Sequence, residues 1–134
     1  MPNIDKILYL DCDMIVNKSL RELFEIDMQN NYAFVVEDIM DKLNEVKAGI
    51  EFDKNDRYFN AGFLMINNKL WIENNLEQKF YDFLDKTFLA FKDQDVLNYC
   101  LKNRVKFLDK KWNFLDYKFC YRGNNPDINE INII

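Results

Sequence analysis

The sequence predicts an α/β layer fold, because short apolar, β-favouring runs alternate along it with segments whose apolar residues recur at helical spacing. Lys6–Leu10, Tyr32–Val36 and Gly62–Ile66 read as strands, and Val105–Leu108 as a weaker fourth. Between them the spacing of Leu76, Phe80, Phe83 and Leu84 predicts one amphipathic helix, and that of Val96, Leu97, Cys100 and Leu101 another.

The first run, Lys6-Ile7-Leu8-Tyr9-Leu10, is unbroken and ends in Asp11, which is the pattern of a strand buried on both faces of a parallel sheet. Its acids would then stand at the carboxyl edge of the sheet, where α/β folds bind ligands. Ser19-Leu20-Arg21-Glu22 reads as a capping box that opens a short helix through Phe24. The Leu76 to Leu84 stripe is expected to be core. No repeat, low-complexity tract or Gly/Ser linker divides the 134 residues, so residues 1–134 are expected to form a single domain.

Composition narrows the chemistry. There is no histidine, which excludes triads with an imidazole base and any histidine-ligated metal, and leaves carboxylates to carry metal chemistry. Cys12, Cys100 and Cys120 are odd in number and widely spaced, matching neither a disulfide framework nor a zinc site. The net charge of -5 argues against nucleic acid as a partner. No apolar run approaches the ~20 residues that cross a bilayer, and the first residues lack the regions of a signal peptide, so a cytoplasmic location is expected. The stretch from Lys102 to Arg122 interleaves Phe107, Trp112, Phe114, Tyr117, Phe119 and Tyr121 with cations. It reads as core aromatics beside solvated lysines, or as an acceptor cleft in which aromatics face sugars; stacking on single-stranded nucleic acid is the least favoured alternative.

Asp11-Cys12-Asp13 carries the strongest chemical signal. Side chains two apart on an extended segment share a face, so both carboxylates could point at one hard cation. The alternative is that they merely end the strand or solvate a turn. An EF-hand loop would use Asp11, Asp13 and Glu22, but its turn glycine is replaced by Val16. A haloacid-dehalogenase-type phosphatase would use Asp11 as nucleophile and Asp13 as acid/base, yet the chain shows no convincing match to its downstream lysine and acidic motif.

Taken after Tyr9–Asp13, the segments Tyr58–Asn67 and Asp93–Asn98 resemble glycosyltransferase family 8, the retaining group that includes bacterial lipopolysaccharide glucosyl- and galactosyltransferases and glycogenin. The order and approximate spacing of the three motifs match. With Leu108–Asn113 the similarity runs over nearly the whole chain.

The resemblance implies a GT-A fold, a Rossmann-like mixed sheet flanked by helices. It also implies a manganese (or magnesium) ion, a UDP-sugar donor, and transfer of glucose or galactose to a glycan or lipid-linked acceptor with retention. Asp11 and Asp13 would ligate the metal. Asp11, Cys12, Asp13, Asn60, Ala61, Gly62, Asp93 and Gln94 would bind the donor. Asp93 and Gln94 would be the catalytic pair, Asp93 accepting from sugar hydroxyls and Gln94 lying beside the anomeric carbon; Asp93 also suits a helix N-cap. Asp38 matches an acceptor-side position.

By the same comparison, the chain is expected to lack the strand and helix that precede the first motif in the family. It would also lack a later His-x-x-Gly-x-x-Lys-Pro-Trp-like segment, and with it a third metal ligand. Peripheral association with the inner face of the membrane belongs to the same expectation. A strand edge left unpaired would favour a homo-oligomer. A non-catalytic remnant that binds metal or nucleotide is the remaining alternative.

Overall fold

The computed structural model describes residues 4–38, 56–84, 92–114 and 127–134. Four strands, β1 (Lys6–Leu10), β2 (Ala33–Glu37), β3 (Phe59–Asn67) and β4 (Val105–Leu108), form one sheet in the order β1-β3-β2-β4. β3 runs antiparallel to both neighbours, while β2 and β4 are parallel. The sheet is thus mixed.

The expectation for β1 is corrected. It is an edge strand, antiparallel to β3, and has no second strand beside it among the described residues. Tyr9 is 45% exposed. An apolar run of five residues reports burial of some kind but not which neighbour supplies it, and this run also suits an edge. The interior strands are β3 and β2, and in β2 Ala33, Phe34, Val35 and Val36 are all buried.

Alternation along β2 divides the core. Phe34 and Val36 join Leu23, Met28, Phe63, Met65, Trp112 and Ile133 on one face. Ala33 and Val35 join Phe59, Leu64, Leu76 and Leu101 on the other, with Leu70, Trp71, Phe80 and Leu97 packed against them. The second face is covered by α2 (Asn68–Glu73), α3 (Leu76–Leu84) and α4 (Lys92–Leu101). α2 follows β3 without a loop: Asn67 ends the strand and caps the helix, its side chain accepting from the Leu70 amide at 3.2 Å. Of the α3 stripe, Leu76 is buried and Phe80 meets Trp71 edge-on, but Leu84 is half exposed, so the stripe is core only in part. Phe83 stacks on Tyr99 of α4 at 4.1 Å.

The capping box does not form. α1 (Arg21–Glu25) has Leu20 at its N-cap, and Ser19 Oγ accepts from the Arg21 amide at 3.3 Å, closing a local turn one step too early. Glu22 pairs with Lys111 instead of reaching back. At the other end Lys6 Nζ donates to the Phe24 and Ile26 carbonyls at 2.6 and 2.7 Å, satisfying acceptors that a helix leaves open there.

Two irregularities place the site. From Phe34↔Met65 to Val36↔Asn60, β2 advances by two residues while β3 advances by five, so the pairing breaks around Ala61–Leu64. The loop that leaves β1 is held by the last residues of the chain: Ile15 and Ile134 exchange backbone hydrogen bonds at 2.7 and 3.0 Å, and Asn17 donates to the Asn132 carbonyl at 2.8 Å. Within the basic aromatic stretch, Trp112 is buried, while Phe107 and Phe114 are partly so. Tyr117, Lys118, Phe119, Cys120, Tyr121 and Arg122 lie outside the described residues. Cys12 and Cys100 are free thiols.

Candidate active site

The end of β1 meets the irregular stretch of β3. The Asp11 amide donates to the Gly62 carbonyl at 2.9 Å, and the Met14 amide to the Asp11 carbonyl at 3.3 Å, so residues 11–14 form a turn. Strand alternation therefore does not place Asp11 and Asp13 on one face, as the sequence suggested; the turn presents them, and Asp11, Cys12 and Asp13 are all exposed. Asp11 is oriented from behind by Tyr9, whose hydroxyl donates to Asp11 Oδ1 at 2.7 Å. That bond is the main reason the Tyr9 phenol is held above its ordinary pKa, and burial and the charges of Asp11 and Asp93 add to it. Asp93 thus lies within electrostatic reach of the Asp11 end of β1.

Gly62 leaves room for this carboxylate. A Cβ there would stand 2.9 Å from both Asp11 Oδ2 and Asn60 Oδ1. Asn60 is fixed on three sides. Its Oδ1 accepts from the Gly62 amide and from Asn113 Nδ2, both at 2.9 Å, and its Nδ2 donates to Asp38 Oδ2 at 3.3 Å.

The first turn of α4 supplies the other wall. Gln94 Oε1 accepts from the Ala61 amide at 2.9 Å, and its Nε2 donates to Asp38 Oδ2 at 3.0 Å. Asp38 follows β2, is only 5% exposed, and donates its own amide to the Tyr58 carbonyl at 2.9 Å. It sits against Asn60 and Gln94. Asp93 is exposed and lies inside α4, which begins at Lys92; an acid there complements the positive end of the helix.

Asp11, Asn60, Ala61, Gly62, Gln94 and Asp38 are thus joined in one hydrogen-bonded cluster, and Cys12, Asp13 and Asp93 stand exposed at its margin. Sequence reasoning missed Tyr9, Asn98 and Asn113 as members of this constellation. Tyr9 stands two before Asp11 on a strand and Asn98 four after Gln94 on a helix, spacings that bring side chains together. Asn113 meets Asn60 across 53 positions, for which the sequence holds no local signal.

Two carboxylates on an exposed turn, in a chain without histidine, form an oxygen donor set suited to Mn2+ or Mg2+. Among the described residues no group of three or more acidic, cysteine or histidine side chains is gathered for a metal.

The profile of glycosyl transferase family 8 matches residues 1–134. The chain belongs to this family. The lipopolysaccharide 1,2-glucosyltransferase of Escherichia coli is 35% identical over 116 residues, which span 82% of this chain and 34% of that protein. The lipopolysaccharide 1,3-galactosyltransferase of Salmonella typhimurium is 34% identical over 116 residues, 81% of this chain and 34% of that protein. The chain spans about a third of the length of these relatives.

In fold it matches the crystal structure of the galactosyltransferase LgtC in complex with donor and acceptor sugar analogues. The TM-score is 0.74 at 28% identity, over 98% of this chain and 49% of that one. The family's GT-A fold, expected from the motifs, is the fold observed, and the phosphatase reading of Asp11 is not favoured. Among the described residues no helix is long and apolar enough to cross a membrane.

Proposed function

We propose that this chain carries the donor-binding and catalytic face of a retaining hexosyltransferase that moves glucose or galactose from a UDP-sugar to a glycan or lipid-linked acceptor. The observation that supports this most is the convergence of Asp11, the Asn60–Gly62 stretch of β3 and Gln94 in one cluster, drawn from three separated segments. The relatives named for lipopolysaccharide glucosyl and galactosyl transfer, and a fold neighbour solved with donor and acceptor sugar analogues, support the same substrate class.

On this reading Asp11 and Asp13 hold Mn2+ or Mg2+, which when bound offsets the charge that develops on the leaving diphosphate. Tyr9 keeps Asp11 turned outward. Gly62, lacking a Cβ, gives the Asp11 carboxylate and the Asn60 amide the room to face the donor together. Asp93 accepts from hydroxyls of the donor sugar. Gln94 stands beside the anomeric carbon with its amide held at both ends, Oε1 on Ala61 and Nε2 on Asp38, so its orientation is set before the donor arrives. Asp38 stands behind Gln94, on the acceptor side.

The test is release of UDP from UDP-glucose and UDP-galactose by the protein that carries this chain, with and without Mn2+ and in the presence of a lipopolysaccharide core acceptor. Metal-dependent release stimulated by acceptor, with the anomeric configuration kept in the product, is expected. Release of phosphate from phosphomonoesters, with no turnover of either UDP-sugar, would contradict it.

A further inference from the structure

Gln94 and Asn98 stand one helical turn apart on α4, so their side chains leave the same face. Both reach the backbone of β3. Asn98 Oδ1 accepts from the Phe59 amide at 2.8 Å, and Asn98 Nδ2 donates to the Phe59 carbonyl at 2.8 Å and to the Gln94 carbonyl at 2.9 Å. Gln94 Oε1 takes the Ala61 amide, two residues further along the strand.

The spacing explains why two amides can do this. Four helical residues rise about 6.0 Å, and two strand residues about 6.7 Å, so side chains at i and i+4 fall opposite alternate peptide groups. Asparagine is a poor helix former because its side chain competes for backbone bonds. Here it is 2% exposed, and those bonds go to β3 as well as to its own helix.

We propose that Asn98 is a positioning residue for Gln94. It fixes the height and rotation of α4 on β3, so that the Gln94 amide reaches Ala61 and Asp38 together. A slip of one residue would shift the helix by about 1.5 Å and turn it by about 100°, breaking both contacts. The consequence for sugar transfer rests on the reading of Gln94 given above; the placement itself does not.

The test separates the two. In 15N-labelled chain, the side-chain amide pair of Gln94 is assigned by its disappearance in Gln94→Ala. Asn98→Asp keeps the shape and the acceptor for Phe59 but turns an oxygen toward two carbonyls. Asn98→Ser serves if that variant does not fold, and Leu97→Ala, which removes apolar packing from the same helix, controls for loss of stability.

In Asn98→Asp or Asn98→Ser, the Gln94 amide protons are expected to exchange at least tenfold faster and to move to the position of exposed glutamines; in Leu97→Ala they stay in place. A folded Asn98 variant with unmoved Gln94 signals, or an equal change in Leu97→Ala, would overturn the proposal. In the protein that carries this chain, kcat is expected to fall at least tenfold with donor KM within threefold. Absence of turnover in the unsubstituted protein would count against the transferase reading, while the Gln94 signals would still decide the placement.

Discussion

Gly62 lies so close to Asp11 that a single added methyl would stand 2.9 Å from the carboxylate oxygen Oδ2, and as near to Asn60 Oδ1. Both obstructing atoms are side-chain ends rather than backbone, so Gly62→Ala should fold, at a cost of about 1 kcal/mol for the hydrogen bonds of Asn60 and Asp11 that must shift. It should still displace Asp11 and Asn60, the two polar groups proposed to face the donor. Metal-dependent UDP affinity, measured by calorimetry, is expected to fall at least tenfold while the thermal melt remains cooperative.

Gln94→Glu would place a second carboxylate at the position that now donates to Asp38 Oδ2 at 3.0 Å. Two carboxylates so close cannot both ionise easily, so the pair should titrate with one value raised above its unfolded value of about 4.3. A raised carboxylate pKa leaves the variant nearest to the unsubstituted protein at low pH and progressively less stable as pH climbs through that value. Each unit of elevation costs about 1.4 kcal/mol above it. Melts at pH 5 and pH 8 check this: the deficit should be larger at pH 8.

Alkaline stability follows from two groups, the fully buried Tyr58 and the partly buried Cys100. Burial pushes the Cys100 thiol from 9.0 up to about 11, against the opposing pull of Lys79. Burial and the 2.7 Å hydrogen bond to Asp95 raise the Tyr58 phenol. Both are neutral when protonated, and both are raised on folding. Their contribution is complete below the unfolded values and lost as pH rises toward the folded ones. The melting temperature should be flat from about pH 7 to 8.5 and fall beyond about pH 9; Cys100→Ala should delay the onset of that fall.

Cys12 is exposed between Asp11 and Asp13, whereas Cys100 is partly buried with a raised pKa. In a Cys120→Ser background a bulky maleimide should therefore modify Cys12 first and abolish donor binding. UDP with Mn2+ should slow the modification at least tenfold. Cys12→Ser should still bind the donor, since no hydrogen bond of the described site uses the exposed Cys12 sulfur.

The parts of this molecule that were legible beforehand are those with local signals. β2, β3 and β4 follow β-branched and aromatic runs, and α4 follows the spacing of Val96 and Leu101. The three site segments were recognisable as motifs, and Asp11, Asn60, Gly62 and Gln94 do come together.

What escaped the sequence depends on partners far along the chain. The place of β1 at an edge is set by β3, more than fifty positions later, and its own apolar run cannot report that. Ser19 failed as a cap because its oxygen met Arg21 in a tighter turn. Asp11 and Asp13 share a turn, not a strand face, because Met14 bonds back to Asp11. The assignment of Asp38 to the acceptor side came without any sign that the same carboxylate holds both Asn60 and Gln94.

The most direct test of the central claim is a thermal-shift titration of the purified chain with UDP, UDP-glucose and UDP-galactose, with and without Mn2+, beside Asp13→Ala. A ligand that binds only the folded state stabilises it by about 2.7 kcal/mol at a hundredfold excess over its Kd. The account predicts a Mn2+-dependent upward shift with all three nucleotides that Asp13→Ala abolishes without lowering the unliganded melt. A cooperative melt indifferent to every nucleotide, or a shift that survives in Asp13→Ala, would contradict it.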